Sequence, residues 1–128
     1  PGSVYNRMPF PGPALSARVI GEATWERVAL VRQATAIAEQ ELADTGAFQY
    51  MAILHEDRVT GMREGRREFG FQIEIRCWES VDARTAKPMR LPWETLENLS
   101  NRLVCEVPGV VSVTYHIAPK PPSTMEVV

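Results

Sequence analysis

The ten residues from Phe69 to Trp78 alternate without a break, with Phe69, Phe71, Ile73, Ile75 and Cys77 on one parity and Gly70, Gln72, Glu74, Arg76 and Trp78 on the other. A two-residue period places the two sets on opposite faces of a β-strand, so the stretch predicts a strand with one core face. Val111, Val113, Tyr115 and Ile117 alternate in the same way with Ser112, Thr114 and His116, and the tail repeats the pattern with Met125 and Val127. These strands predict a sheet whose second face carries Gln72, Glu74, Arg76, Trp78, Thr114, His116 and Glu126. A mixed face with an aromatic and an arginine suits a subunit interface, which makes Glu74, Arg76, Trp78 and His116 the candidate dimer contacts. The alternative is an ordinary solvated sheet face.

The core face needs a cover, and two helices are predicted to supply it. Thr24 is an N-cap, Glu26 sits in the first turn and Gly46 is a stop, which predicts a helix over about residues 25 to 44. Val28, Val31, Ala34, Ala38 and Leu42 recur at helical spacing, widened by Leu30 and Ile37. Thr35 lies close to that stripe, where its hydroxyl can bond back to a carbonyl one turn earlier. Pro92 opens a second helix whose Leu96, Leu99, Leu103 and Val107 face the core, and Pro108-Gly109 ends it. Between the helices, Phe48 to Leu54 is apolar on both parities, as a strand covered on both sides would be. His55 closes it and reads as a solvated loop residue rather than a metal ligand. Glu56 to Glu68 alternates charge around Gly61 and Gly65 and predicts a mobile hairpin tip.

The order is helix, two strands, helix, two strands, preceded by a short strand. It predicts an α+β fold with both helices on one face of a largely antiparallel sheet. Residues 1–16, with Pro9, Pro11 and Pro13 in alternation, form an extended lead-in, and residues 17–128 form the domain. A chain of 128 residues with 45% apolar and 23% charged residues can bury a core of its own. The net charge of −2 provides no general field for nucleic acid or an anionic membrane. No apolar run reaches membrane-spanning length and no signal peptide is evident, so a cytoplasmic location is expected. Position 1 is Pro rather than Met, which implies processing, truncation or a foreign N-terminal remnant. Cys77 and Cys105 lack partners at metal or redox spacing and read as reduced, structural residues, so no catalytic and no metal-binding residue is assigned.

The tail, Lys120-Pro121-Pro122-Ser123-Thr124-Met125-Glu126, resembles the K-P-P-[AS]-T-[IM]-E terminus of glutamine-hydrolysing GMP synthase. Met8 to Leu15 and Arg18-Val19-Ile20-Gly21-Glu22 resemble the P-F-P-G-P-G-L and R-V-I-G-E segments that open the C-terminal dimerisation domain of that family. Two departures are Met8 in place of the usual His and Ala14 in place of the second glycine. Arg76, Asp82, Thr85-Ala86, Leu91-Pro92, Ser100-Asn101-Arg102, Glu106-Val107, Gly109 and Tyr115 follow in the family's order. The resemblance implies that Lys120 is the phosphate-binding cation for XMP and that Met125 and Glu126 contact the nucleotide. Arg66, aligned with an arginine of the family's G-D-G-R loop, and Arg102 are further candidate phosphate contacts.

GMP synthase amidates the purine ring of XMP using ATP and ammonia from glutamine. Its S-G-G-V-D-S phosphate loop and its Cys-His-Glu triad have no counterpart among these residues. The expectation is a homodimerising, XMP-clamping domain that is not catalytic alone and holds no cofactor. ATP and Mg²⁺ would bind a separate ATP-pyrophosphatase domain or subunit, and XMP or GMP would bind this chain weakly. Two other classes remain open: a free-standing dimeric module, structural or nucleotide-sensing, and a small RNA-binding domain. Against the last stand the absence of a G-x-x-G clamp and of net positive charge. No nucleic-acid or membrane partner is expected.

Overall fold

The computed structural model describes residues 5–7, 15–80 and 85–119. The elements run β1 (Tyr5–Arg7), β2 (Leu15–Ile20), α1 (Trp25–Leu42), a 3₁₀ turn (Ala43–Thr45), β3 (Gln49–Leu54), β4 (Val59–Arg63), β5 (Arg66–Ser80), β6 (Ala86–Pro88), α2 (Trp93–Glu106) and β7 (Val110–Tyr115). They form the expected α+β fold. Four strand pairings are antiparallel, but β2 with β3 and β5 with β7 are parallel. Parallel neighbours need a crossover, and α1 and α2 are those crossovers. β5 is the organising strand, pairing with β3, β4, β6 and β7.

Thr24 caps α1 by accepting from the Arg27 amide at 3.2 Å. The buried stripe is Leu30, Val31, Ala34, Ile37, Ala38 and Leu42, and Thr35 lies within it with its hydroxyl donating to the Val31 carbonyl at 2.7 Å. Gly46, at φ +81°, ends the 3₁₀ turn in a conformation that favours glycine. Facing these helices are Tyr50, Ala52 and Leu54 of β3 and Phe71, Ile73, Ile75 and Cys77 of β5, joined by Leu99, Leu103 and Val107 from α2 and its end. Met51 and Ile53, on the other parity of β3, are also fully buried. β3 is thus apolar on both faces because both are covered.

The charged stretch 56–68 is the hairpin expected: β4 meets the start of β5 through Glu64 and Gly65, both at positive φ (53° and 76°). That is the two-residue turn whose twist matches antiparallel strands. The apolar phase of β7 shifts at a bulge, because Phe71 pairs with Val110 and Gln72 with Ser112. Val110 therefore enters the core, and Val111 packs against the hairpin, where Cβ atoms added at Gly61 and Gly70 would lie 2.6 Å from Val111 atoms. Ile117, expected in the core, lies beyond the end of β7 and is 76% exposed. The strand expected at Met125–Val127 falls outside the described residues.

Candidate functional site

On the sheet face opposite the helices, the even-numbered positions of β5 gather ionisable groups. Glu74 receives the His55 ring nitrogen Nε2 at 2.7 Å on one carboxylate oxygen and Arg76 Nε at 2.5 Å on the other, and His116 Nδ1 lies 3.8 Å away. Burial alone would favour the neutral acid, but the hydrogen bonds and charges of His55 and Arg76 prevail and hold Glu74 at about 2. Burial and the Arg76 charge push His116 below its ordinary value. Trp78 packs beside the His116 ring with centroids 5.6 Å apart. It is 1% exposed, and its indole nitrogen has no hydrogen-bond partner among the described residues.

The structure therefore brings together the four candidate interface residues Glu74, Arg76, Trp78 and His116 and adds His55, which is not the solvated loop residue expected. The signal for His55 lies in its position next to β3, since the antiparallel ladder carries His55 onto Gln72 (N–H to carbonyl, 3.1 Å) and so beside Glu74. Nothing in the sequence singles out Arg27. Its guanidinium donates to the carbonyls of Ile20 and His55, tying the ends of β2 and β3 to the start of α1.

The candidate phosphate contacts lie elsewhere. Arg66 is exposed at the first position of β5. Arg102, on α2, is held by Glu106 (2.8 and 3.1 Å) and by Glu41 of α1 (3.1 Å), so an anion there would compete with two carboxylates. Those bonds push the guanidinium further above its ordinary value and Glu106 below its own. Lys120, Met125 and Glu126 lie outside the described residues. Cys77 is buried, and burial pushes its thiol up to about 11, the reverse of what a nucleophile needs.

Two adjoining clefts of about 540 and 530 Å³ run between α2, β7 and the segment after it, sharing Leu96, Tyr115 and Ile117. The first is walled by Trp93, Asn101 and Val113; the second carries Lys87 and Arg90 and ends at Pro119. Tyr115 fixes their common wall, its hydroxyl donating to the carbonyls of Met89 at 2.6 Å and Cys77 at 3.3 Å. Burial raises this phenol well above its ordinary range.

Fold and clefts define an α+β domain with a preformed, partly basic groove. The chain belongs to the GMP synthase C terminal domain family, whose sequence model matches residues 35–127. It is 50% identical over 127 residues to a Methanocella arvoryzae protein named as a subunit of glutamine-hydrolyzing GMP synthase, covering 98% of this chain and 41% of that one. It is 44% identical to the subunit of the same name from Thermococcus kodakarensis, covering 98% and 42%. With the glutamine-hydrolyzing GMP synthase of Pyrobaculum aerophilum it shares 45% identity, covering 98% and 26%. The chain thus spans between about a quarter and two-fifths of the length of these relatives. Among the described residues, no helix is long and apolar enough to cross a membrane.

Proposed function

We propose that this chain is the XMP-clamping, dimerising part of a GMP synthase, acting in purine nucleotide synthesis together with an ATP-pyrophosphatase portion. What supports the reading is 50% identity over 98% of the chain to a protein named as a subunit of that enzyme. The chain also retains Lys120-Pro121-Pro122-Ser123-Thr124-Met125-Glu126. In this reading Lys120 neutralises the XMP phosphate, and the following prolines limit the backbone freedom lost on binding. Met125 and Glu126 contact the rest of the nucleotide. ATP and Mg²⁺ are assigned to the other portion. Of the four candidate interface residues, Glu74, Arg76 and His116 keep some exposure and are assigned to the second copy, whereas Trp78, 1% exposed, is already covered within one chain.

Ligand-observed NMR at millimolar XMP tests the clamp. Lys120→Ala should weaken binding by about 10- to 150-fold, the range expected for one charge-assisted contact, with unchanged thermal stability. Equal binding by the variant would refute the assignment. Light scattering tests the dimer: a 14.4 kDa species at micromolar concentration would rule it out.

A further inference from the structure

We propose that His116 is a proton-operated latch: with its ring neutral it holds the chain segment that walls both clefts, and with its ring charged it releases that segment. The ring lies with Glu74 and Trp78 on the sheet face opposite the helices. Its chain neighbours Tyr115 and Ile117 line both clefts, and Pro119 lines the second. The His116 amide donates to the Ile75 carbonyl at 3.0 Å, just past the end of β7, and the ring hydrogen-bonds to the Ala118 backbone. The ring also packs on Trp78, with centroids 5.6 Å apart and planes tilted by 56°. One side chain thus ties the segment from Tyr115 to Pro119 to the far face of the sheet, so a movement of this ring is passed to the cleft wall.

The surroundings disfavour a charge on this ring. Its Nδ1 lies 3.8 Å from Glu74 Oε2, but that oxygen already accepts from Arg76 Nε at 2.5 Å, and the other oxygen is bonded to His55 at 2.7 Å. To the same face β3 contributes Gln49, Met51 and Ile53 and β7 contributes Thr114, none of them ionisable. Arg18 of β2 lies opposite Ile53 in register, and Arg27 of α1 reaches the His55 carbonyl. Burial, followed by the Arg76 charge, opposes the proton, while the Glu74 charge and the Ala118 hydrogen bond favour it. The opposition prevails and sets the packed ring below its ordinary 6.5. The packed ring therefore binds its proton less tightly than an open, solvated one. Packing is fully favoured above pH 6.5 and is lost as pH falls through the packed ring's lower value. Once charged and solvated, the ring leaves Trp78 and the Ala118 backbone, and the segment they held is free to move.

The test is an NMR titration of the whole chain without nucleotide, from about pH 8 to about pH 5, on wild type, His116→Asn and His116→Gln. It follows the ring signals of the two histidines, the Trp78 indole N–H and the backbone amides. In wild type the His116 ring should titrate below 6.5, and the Ile117 and Ala118 amides and the Trp78 indole should shift with the same midpoint. The His116 amide should lose its protection against hydrogen exchange on the acid side of that midpoint. Both variants should lack the shared transition. A wild-type ring that titrates at or above 6.5, or one that titrates with no accompanying change at Ile117 and Ala118, would overturn the inference. So would the same transition persisting in both variants. No ligand enters the assay, so its outcome is independent of the clamping reading.

Discussion

Replacing Glu74 by Gln removes the charge that His55, Arg76 and His116 share while keeping the side chain's shape and one carbonyl acceptor. The Glu74 carboxyl is held at about 2 against an ordinary 4.5. At about 1.4 kcal/mol per unit this corresponds to roughly 3 kcal/mol as a ceiling, and water at the partly buried site reduces it to about 2 kcal/mol. The sign follows from the depression. The folded state binds this proton less tightly than the unfolded chain, so the stabilisation is fully present above pH 4.5 and is lost as pH falls towards 2. Urea unfolding of wild type and Glu74→Gln, followed by circular dichroism at one protein concentration, should show a gap of about 2 kcal/mol at pH 7 that shrinks by more than half at about pH 3. A gap below about 0.5 kcal/mol at pH 7, or one that is the same at the acid pH, would refute the reasoning.

Gly70→Ala would place a methyl 2.5 Å from the Gly109 carbonyl oxygen, a backbone atom that can yield only if the bulge moves. A loss of about 1–3 kcal/mol is expected, read as a fall of several degrees in melting temperature. Tyr115→Phe deletes the donor to the Met89 and Cys77 carbonyls with almost no change in volume and should lower stability by about 1–3 kcal/mol in urea unfolding. Of the two thiols, exposed Cys105 should react with a disulfide reagent at about pH 8 in the native protein, and buried Cys77 only after denaturation.

What the sequence made legible was whatever depends on local period and punctuation. The two-residue alternation identified the core face of β5, and Thr24, Gly46, Pro92 and Pro108-Gly109 bounded both helices closely. Strand direction is not written in a period, so Val19 beside Leu54 and Ile75 beside Tyr115, both in parallel register, could not be read from it. A bulge moves no residue type, only its phase, which is why Val110 rather than Val111 faces the core. Gly61 looks like a loop signal in a sequence, yet here it and the strand glycine Gly70 let Val111 lie flat against a hairpin. The ion network was half legible. Glu74, Arg76 and His116 share a strand parity, whereas His55 joins them only through pairing across the ladder. The groove of Lys87 and Arg90 was not legible, because it is assembled from β6, α2 and β7, which are separated along the chain.

The central claim is that this chain holds XMP by its phosphate, and the most direct measurement is a calorimetric or NMR titration of XMP beside xanthosine, the same base and sugar without the phosphate. The account predicts XMP binding detectable at millimolar concentration and xanthosine at least tenfold weaker. Equal affinity for the two, or no binding of XMP, would contradict it.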